Sequence, residues 1–170
     1  VRDARSHRAD QRSLTTHRRY LHALHVAYRD LKPANVLVDC KGHLRVADFG
    51  FARRLPESGT TYTMCGTPDY MAPEILRNRG HGLGVDWWAF GVVLVQLRAG
   101  YCPFVARTED ETCYKITSGA LKFPADPAFS PDEEALVCGL LHGAPAARLG
   151  SSTNLGPAAV LAHPYFEGVG

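Results

Sequence analysis

Asp30, Lys32 and Asn35 fall within six positions of one another, in the run Tyr28-Arg29-Asp30-Leu31-Lys32-Pro33-Ala34-Asn35-Val36-Leu37. A carboxylate can accept a hydroxyl proton, an ammonium can hold a phosphate oxygen, and an amide oxygen can bind a hard metal ion. Pro33 fixes its own φ and biases Lys32 away from helix, so the three side chains are expected on a shaped loop. Eighteen residues after Asp30 comes a second carboxylate, Asp48, in Asp48-Phe49-Gly50. The glycine permits backbone angles that other residues rarely adopt.

Something must bring these groups together. Val36-Leu37-Val38 and Leu44-Arg45-Val46 read as two short strands around Asp39-Cys40-Lys41-Gly42, a small β-hairpin. Asn35 precedes its first strand and Asp48 follows its second. An antiparallel pair brings those two ends together, so two metal-binding groups far apart in sequence can converge. Upstream, Leu14, Leu21, Leu24 and Tyr28 share one helical face, which predicts a helix from Ser13 to about Ala27. His22 and His25 sit one turn apart on it. They read either as a shared metal pair or as packed or exposed helix histidines, and the missing third ligand favours the latter.

Composition sets the bounds. The chain has 170 residues, 45% apolar and 21% charged, with a formal charge of +2, which suits one ordinary globular domain. Val1–Arg19 holds six Arg against two Asp and no aromatic residue, so residues 1–18 read as a basic, poorly ordered arm rather than a nucleic-acid binder. Five scattered cysteines without a C-x-x-C pair suit reduced thiols. The charged amino terminus lacks a signal-peptide core, and the apolar run Trp87–Val95 is too short to span a bilayer. The expectation is a soluble intracellular protein with no nucleic-acid partner and no membrane span.

Downstream, residues 51–65 read as a mobile loop carrying Arg53, Arg54, Gly59 and several hydroxyls. Gly66-Thr67-Pro68-Asp69-Tyr70-Met71-Ala72-Pro73-Glu74 then runs extended into a short helix from about Pro73. Val85–Leu97 is apolar on every side, as expected of a helix at the centre of a helical domain. Glu109–Ser118 predicts a helix, and Ser130-Pro131-Asp132-Glu133 is a capping box for another. Pro157–Ala162 offers a last short helix. The fold class read here is mainly α, with one hairpin.

From about Arg19 to Phe166 these motifs follow the order and spacing of a eukaryotic Ser/Thr protein kinase carboxy-terminal lobe. Tyr28-Arg29-Asp30, Asp48-Phe49-Gly50-Phe51-Ala52, Cys65-Gly66-Thr67-Pro68 and Val85-Asp86-Trp87-Trp88-Ala89 resemble most the cyclic AMP- and cyclic GMP-dependent group. The resemblance implies a protein-kinase-like carboxy-terminal lobe over residues 19–166, a helical bundle with a small catalytic hairpin, followed by a tail at 167–170. It implies ATP and Mg²⁺ as cofactors, protein substrates, a regulatory subunit or domain as partner, and the cytoplasm or nucleus as location.

It also implies residue roles. Asp30 would orient the substrate hydroxyl and accept its proton, and Lys32 would neutralise the transferring phosphoryl group. Asn35 and Asp48 would hold Mg²⁺. Thr63 takes the place of an activating phosphothreonine, to be paired with Arg29 and Arg53, with Thr61 as its competitor. Thr67 and Asp69 would face the substrate. Glu74 and Arg148 would form a buried ion pair, and Asp86 would accept backbone hydrogen bonds near Tyr28 and Arg29. Ala34 and Gln96 stand where this group carries acids, which weakens the expected pull on a substrate arginine.

No Gly-x-Gly-x-x-Gly and no strand lysine precede the recognisable helix, so the amino-terminal β lobe is absent from this sequence. Two readings follow. One is a lobe of a Ser/Thr kinase, inactive as this chain alone. The other is a non-catalytic, kinase-derived docking module.

Overall fold

The computed structural model describes residues 4–41 and 43–168. In chain order the elements are α1 (Ala4–Ala23), β1 (Val26–Ala27), β2 (Val36–Val38), β3 (Leu44–Val46), β4 (Arg53–Arg54), α2 (Pro73–Leu76), α3 (Gly84–Ala99), α4 (Glu109–Ser118), α5 (Pro131–Leu140) and α6 (Gly156–Leu161). Short 3₁₀ turns at Pro33–Asn35, Pro68–Tyr70, Pro145–Ala147 and Pro164–Phe166 link them. The fold is mainly α, as read from the sequence.

α3 is the axis of the molecule. Every residue from Val85 to Val95 is buried, because the helix is apolar all round and meets neighbours on every face. Trp88 stacks on Phe104 at 5.5 Å, and Trp87 meets His22 of α1 edge-on at 5.4 Å. Gly100, at φ 84°, closes the helix in the left-handed conformation that glycine adopts without strain. α5 packs along α3 through Leu136, Val137 and Leu140 and starts with the capping box: Ser130 accepts from the Glu133 amide while Glu133 accepts from the Ser130 amide. α4 occupies its predicted residues, with Thr108 as its cap.

The hairpin forms on the predicted strands, in the register Val36 to Val46, Leu37 to Arg45 and Val38 to Leu44. Position 42 of its turn lies outside the described residues. A second antiparallel pair, β1 with β4, joins Val26 to Arg54 and Ala27 to Arg53. No sequence periodicity announced it, since two residues per strand carry none.

The first helix departs from expectation at both ends. Residues 4–18, expected as a poorly ordered arm, belong to α1, and residues 1–3 lie outside the described residues. The cause is tertiary. Leu14, Gln11, Thr15 and Arg18 are buried, and the arginines that read as solvated charge reach carbonyls of the chain's other end. Arg8 donates to the Tyr165 carbonyl at 3.5 Å, Arg12 to the Leu161 carbonyl at 3.4 Å, and the Tyr165 hydroxyl donates to Gln11 at 2.6 Å. The helix stops at Ala23 rather than Ala27 because His25 turns left-handed at φ 56° and the chain enters β1. Among the described residues no helix is long and apolar enough to cross a membrane.

Candidate active site

Asp30 lies at the end of β1's exit, 4% exposed, and three polar groups close on it. Lys32 Nζ is 2.9 Å from Asp30 Oδ2. Asn35 Nδ2 donates to the same Oδ2 and to the Asp30 carbonyl, each at 2.9 Å. Thr67 donates its hydroxyl to Asp30 Oδ1 at 3.0 Å while accepting from Lys32 Nζ at 2.9 Å. Acid, cation and hydroxyl therefore form a closed ring, with the carboxylate fixed from both oxygens.

Thr67 reaches this ring because Gly66 lies flat against the Arg29 backbone. Gly66 has φ 106°, and a Cβ there would sit 2.6 Å from the Arg29 carbonyl oxygen. Pro33 starts the 3₁₀ turn that folds Asn35 back onto Asp30.

The hairpin ends do meet. Ala47 donates its amide to the Asn35 carbonyl at 2.9 Å, and the Tyr28 hydroxyl donates to the Ala47 carbonyl. Burial pushes the Tyr28 phenol up to about 12, so it stays a donor. Phe49 stands edge-on against the Tyr28 ring at 5.4 Å. Asp48, at φ 57°, is exposed, and its Oδ1 accepts the Gly50 amide at 3.0 Å. Asp48 is thus beside Asn35 along the chain pairing but is not hydrogen-bonded to the Asp30 ring.

Beneath the loop, Asp86 is fully buried at the start of α3. Its Oδ2 accepts the Tyr28 amide at 2.9 Å and contacts His22 Nε2 at 2.8 Å, and its Oδ1 accepts the Arg29 amide at 2.8 Å. Burial alone would raise this carboxyl, but the hydrogen bonds from His22 and the two amides outweigh it and hold it below the ordinary carboxylate range. His22 is the partner the sequence did not identify. The available signal was its place one turn from Arg18 on the buried side of α1. His25 is exposed and turned away into the left-handed link, so the two histidines do not form a metal pair.

The loop after Phe51 is held at several points. Arg29 Nε donates to the Phe51 carbonyl at 2.8 Å, and Arg53 Nη1 donates to Thr63 Oγ1 at 3.0 Å. Arg29 Nη1 is buried without a hydrogen-bond partner among the described residues. Thr61 is buried and bridges His81 through backbone hydrogen bonds, whereas Thr63 is exposed. Asp69 lies half-buried in the Pro68–Tyr70 turn, and Tyr70 donates to Gln96 at 2.6 Å. Glu74 and Arg148 form a bidentate pair at 2.7 and 2.9 Å, and Arg148 also donates to the carbonyls of Gly84 and His142. Every guanidinium nitrogen of this fully buried arginine has an acceptor, which makes so deep a charge tolerable.

Asn35 and Asp48 offer hard oxygen donors. Asn35 uses its Nδ2 on Asp30, and among the described residues no hydrogen bond occupies Asn35 Oδ1 or Asp48 Oδ2. Two such oxygens suit Mg²⁺, which is commonly held by one or two side chains together with water and substrate phosphate.

A protein-family profile described as Protein kinase domain matches residues 12–166. The chain is 44% identical over 150 residues to cAMP-dependent protein kinase type 3 of Saccharomyces cerevisiae, a match covering 88% of this chain and 36% of that protein. It is 41% identical to the cAMP-dependent protein kinase catalytic subunit of Dictyostelium discoideum, again over 88% of this chain and 22% of the relative. Against the cAMP-dependent protein kinase catalytic subunit PRKX of Mus musculus the identity is 39%, over 88% and 41%. The chain therefore spans well under half the length of these curated relatives.

Proposed function

The chain belongs to the protein kinase family, and on that premise we propose that it is the substrate-side lobe of an ATP- and Mg²⁺-dependent Ser/Thr protein kinase. The observation that carries this reading is the ring of Asp30, Lys32 and Thr67, with Asn35 bracing the carboxylate. A carboxylate held from both oxygens can receive a substrate hydroxyl in one orientation and take its proton as the oxygen attacks phosphorus. Lys32, 2.9 Å from Asp30, would offset charge on the moving phosphoryl group. Asn35 and Asp48 would hold Mg²⁺, which when bound would neutralise charge on the nucleotide phosphates.

Thr63 is the proposed phosphorylation site of the loop. Its exposure, the Arg53 contact and the unpartnered Arg29 Nη1 support it over the buried Thr61. Phosphate there gives charge-assisted hydrogen bonds to both arginines and ties the loop to Asp30's neighbour. Thr67 and Asp69 face the protein substrate. The neutral Tyr70–Gln96 pair and Ala34 supply no negative charge of their own to attract a substrate arginine. A regulatory subunit or domain and a cytoplasmic or nuclear location complete the reading.

The isolated chain is proposed to be inactive. Leu37, Val38, Phe49 and Phe51 present exposed apolar surface around the hairpin and Asp48, a face that another lobe is needed to cover. The test joins this chain to the amino-terminal lobe of a related kinase and measures phosphate transfer from ATP to Ser and Thr peptides. Transfer is expected in the joined protein, absent from the chain alone, and reduced at least about a hundredfold in Asp30→Asn. A joined, folded protein that binds ATP yet transfers nothing would favour the non-catalytic docking module instead.

A further inference from the structure

A cleft of about 1410 Å³ opens on the molecule away from Asp30, between the end of α1, the loop after β4, the α2–α3 link and the segment around α6. Arg19 and His25 line it from α1 and its exit, Arg54 from β4, and Arg79 and His81 from the link. None of the three guanidiniums has an ion-pair or hydrogen-bond partner among the described residues, although surface arginines elsewhere, such as Arg45 and Arg98, do. Glu57 is the one uncommitted carboxylate of the lining, since Glu74 is consumed by Arg148.

A second observation is independent of this charge. His81 is 4% exposed, and its Nε2 is buried with no hydrogen-bond partner among the described residues. Its backbone is committed on both sides to Thr61, so only the ring can shift toward the cleft it lines. A buried polar nitrogen left open costs free energy that a ligand acceptor recovers. The cleft also has an apolar side, with Leu83, Pro145 and the 83%-exposed Leu155. Its volume exceeds the roughly 300–1,000 Å³ typical of small-molecule pockets, which favours a chain segment as occupant.

We propose that this cleft docks an acidic peptide segment of a partner protein, its carboxylates on Arg19, Arg54, Arg79 and His81 and its apolar side chains against Leu83 and Leu155. Charge complementarity selects the partner: three unpaired cations facing one carboxylate attract an anionic segment and repel a basic one. Docking here is separate from phosphoryl transfer, because none of these residues belongs to the Asp30 ring or to the Thr63 contacts.

The experiment uses the whole chain and a fluorescein-labelled peptide of about twelve residues repeating Glu-Glu-Leu, with a Lys-Lys-Leu peptide as its opposite. Fluorescence anisotropy is expected to show the acidic peptide binding and the basic one not. The combined variant Arg19→Glu, Arg54→Glu, Arg79→Glu, all at exposed positions, should weaken binding at least about tenfold with an unchanged circular dichroism spectrum. Arg107→Glu, an exposed arginine outside the cleft, should leave binding as it was. His81→Phe tests the buried nitrogen separately and should weaken binding in a folded variant. No binding of the acidic peptide, or equal loss with Arg107→Glu, overturns the proposal. So does binding to anionic phospholipid vesicles in place of the peptide, which would make the cleft a membrane-facing surface.

Discussion

The buried carboxylate of Asp86 accepts the backbone amide of Arg29 at 2.8 Å, and Arg29 holds a left-handed φ of 68°. A non-glycine residue in that region is strained, on the order of 1–2 kcal/mol. The carboxylate offsets this by satisfying two successive amides at the point where the chain turns into Asp30. Loop shape is thus set from below, by a side chain at the head of the central helix.

Asp86→Ala leaves the Tyr28 and Arg29 amides and His22 without their acceptor. It should lower the unfolding free energy by about 3–5 kcal/mol in urea titration. Its folded-state carboxyl lies below the unfolded value, so its contribution is present above about pH 4 and lost as pH falls through the lower folded value. A loss under about 1 kcal/mol would show that the loop holds itself.

Thr67→Val keeps the side-chain shape but removes the hydroxyl that joins Lys32 to Asp30. In the joined two-lobe protein turnover should fall about tenfold to a hundredfold, with the KM for ATP little changed. Thr67→Ser should retain most activity. If Val and Ser behave alike, the ring is closed by the direct Asp30–Lys32 contact and Thr67 only packs.

Arg18 is a cost in the core. It is fully buried, its Nε and Nη2 have no hydrogen-bond partner among the described residues, and its guanidinium lies 4.2 Å from the centre of the Phe90 ring. Burial pulls it down to about 9, against the attraction of Asp86. Arg18→Met keeps the stem and removes the charge, and should raise stability by about 1–2 kcal/mol in thermal or urea unfolding. A destabilised variant would mean that the ring contact and the 2.8 Å hydrogen bond from Arg18 Nη1 to the Leu14 carbonyl outweigh desolvation.

Acid should loosen the molecule near neutrality as well. Burial first, and then the charge of Arg29, hold the His81 imidazole below its ordinary value. The unfolded chain therefore takes up that proton at a higher pH than the folded one. Stability is full above about pH 6.5 and falls as pH drops toward the lower folded value. His163 is lowered by burial in the same sense. The melting temperature should decline from pH 7 to pH 5, less steeply in His81→Gln. An unchanged slope in that variant would assign the loss elsewhere.

Much of this was legible along the chain because it is local. The hairpin strands follow from β-branched residues around a polar turn, α5 from its capping box, and α3 from an apolar run too dense for a surface helix. The order of motifs singled out Asp30, Lys32, Asn35 and Asp48 as candidates, of which the first three meet in the structure. What the sequence lacked was any measure of distance between segments. The arginines near the amino terminus read as a solvated arm, yet Arg8 and Arg12 reach carbonyls about 150 residues away, and Arg18 is sealed beneath α3. The pairing of His22 with Asp86, the two-residue strands β1 and β4, and the placing of Thr67 between Lys32 and Asp30 are likewise tertiary. Residue types determine which chemistry is available. Burial and chain crossing decide which of those groups meet, because desolvation and hydrogen bonding act on neighbours in space, wherever they stand in the sequence.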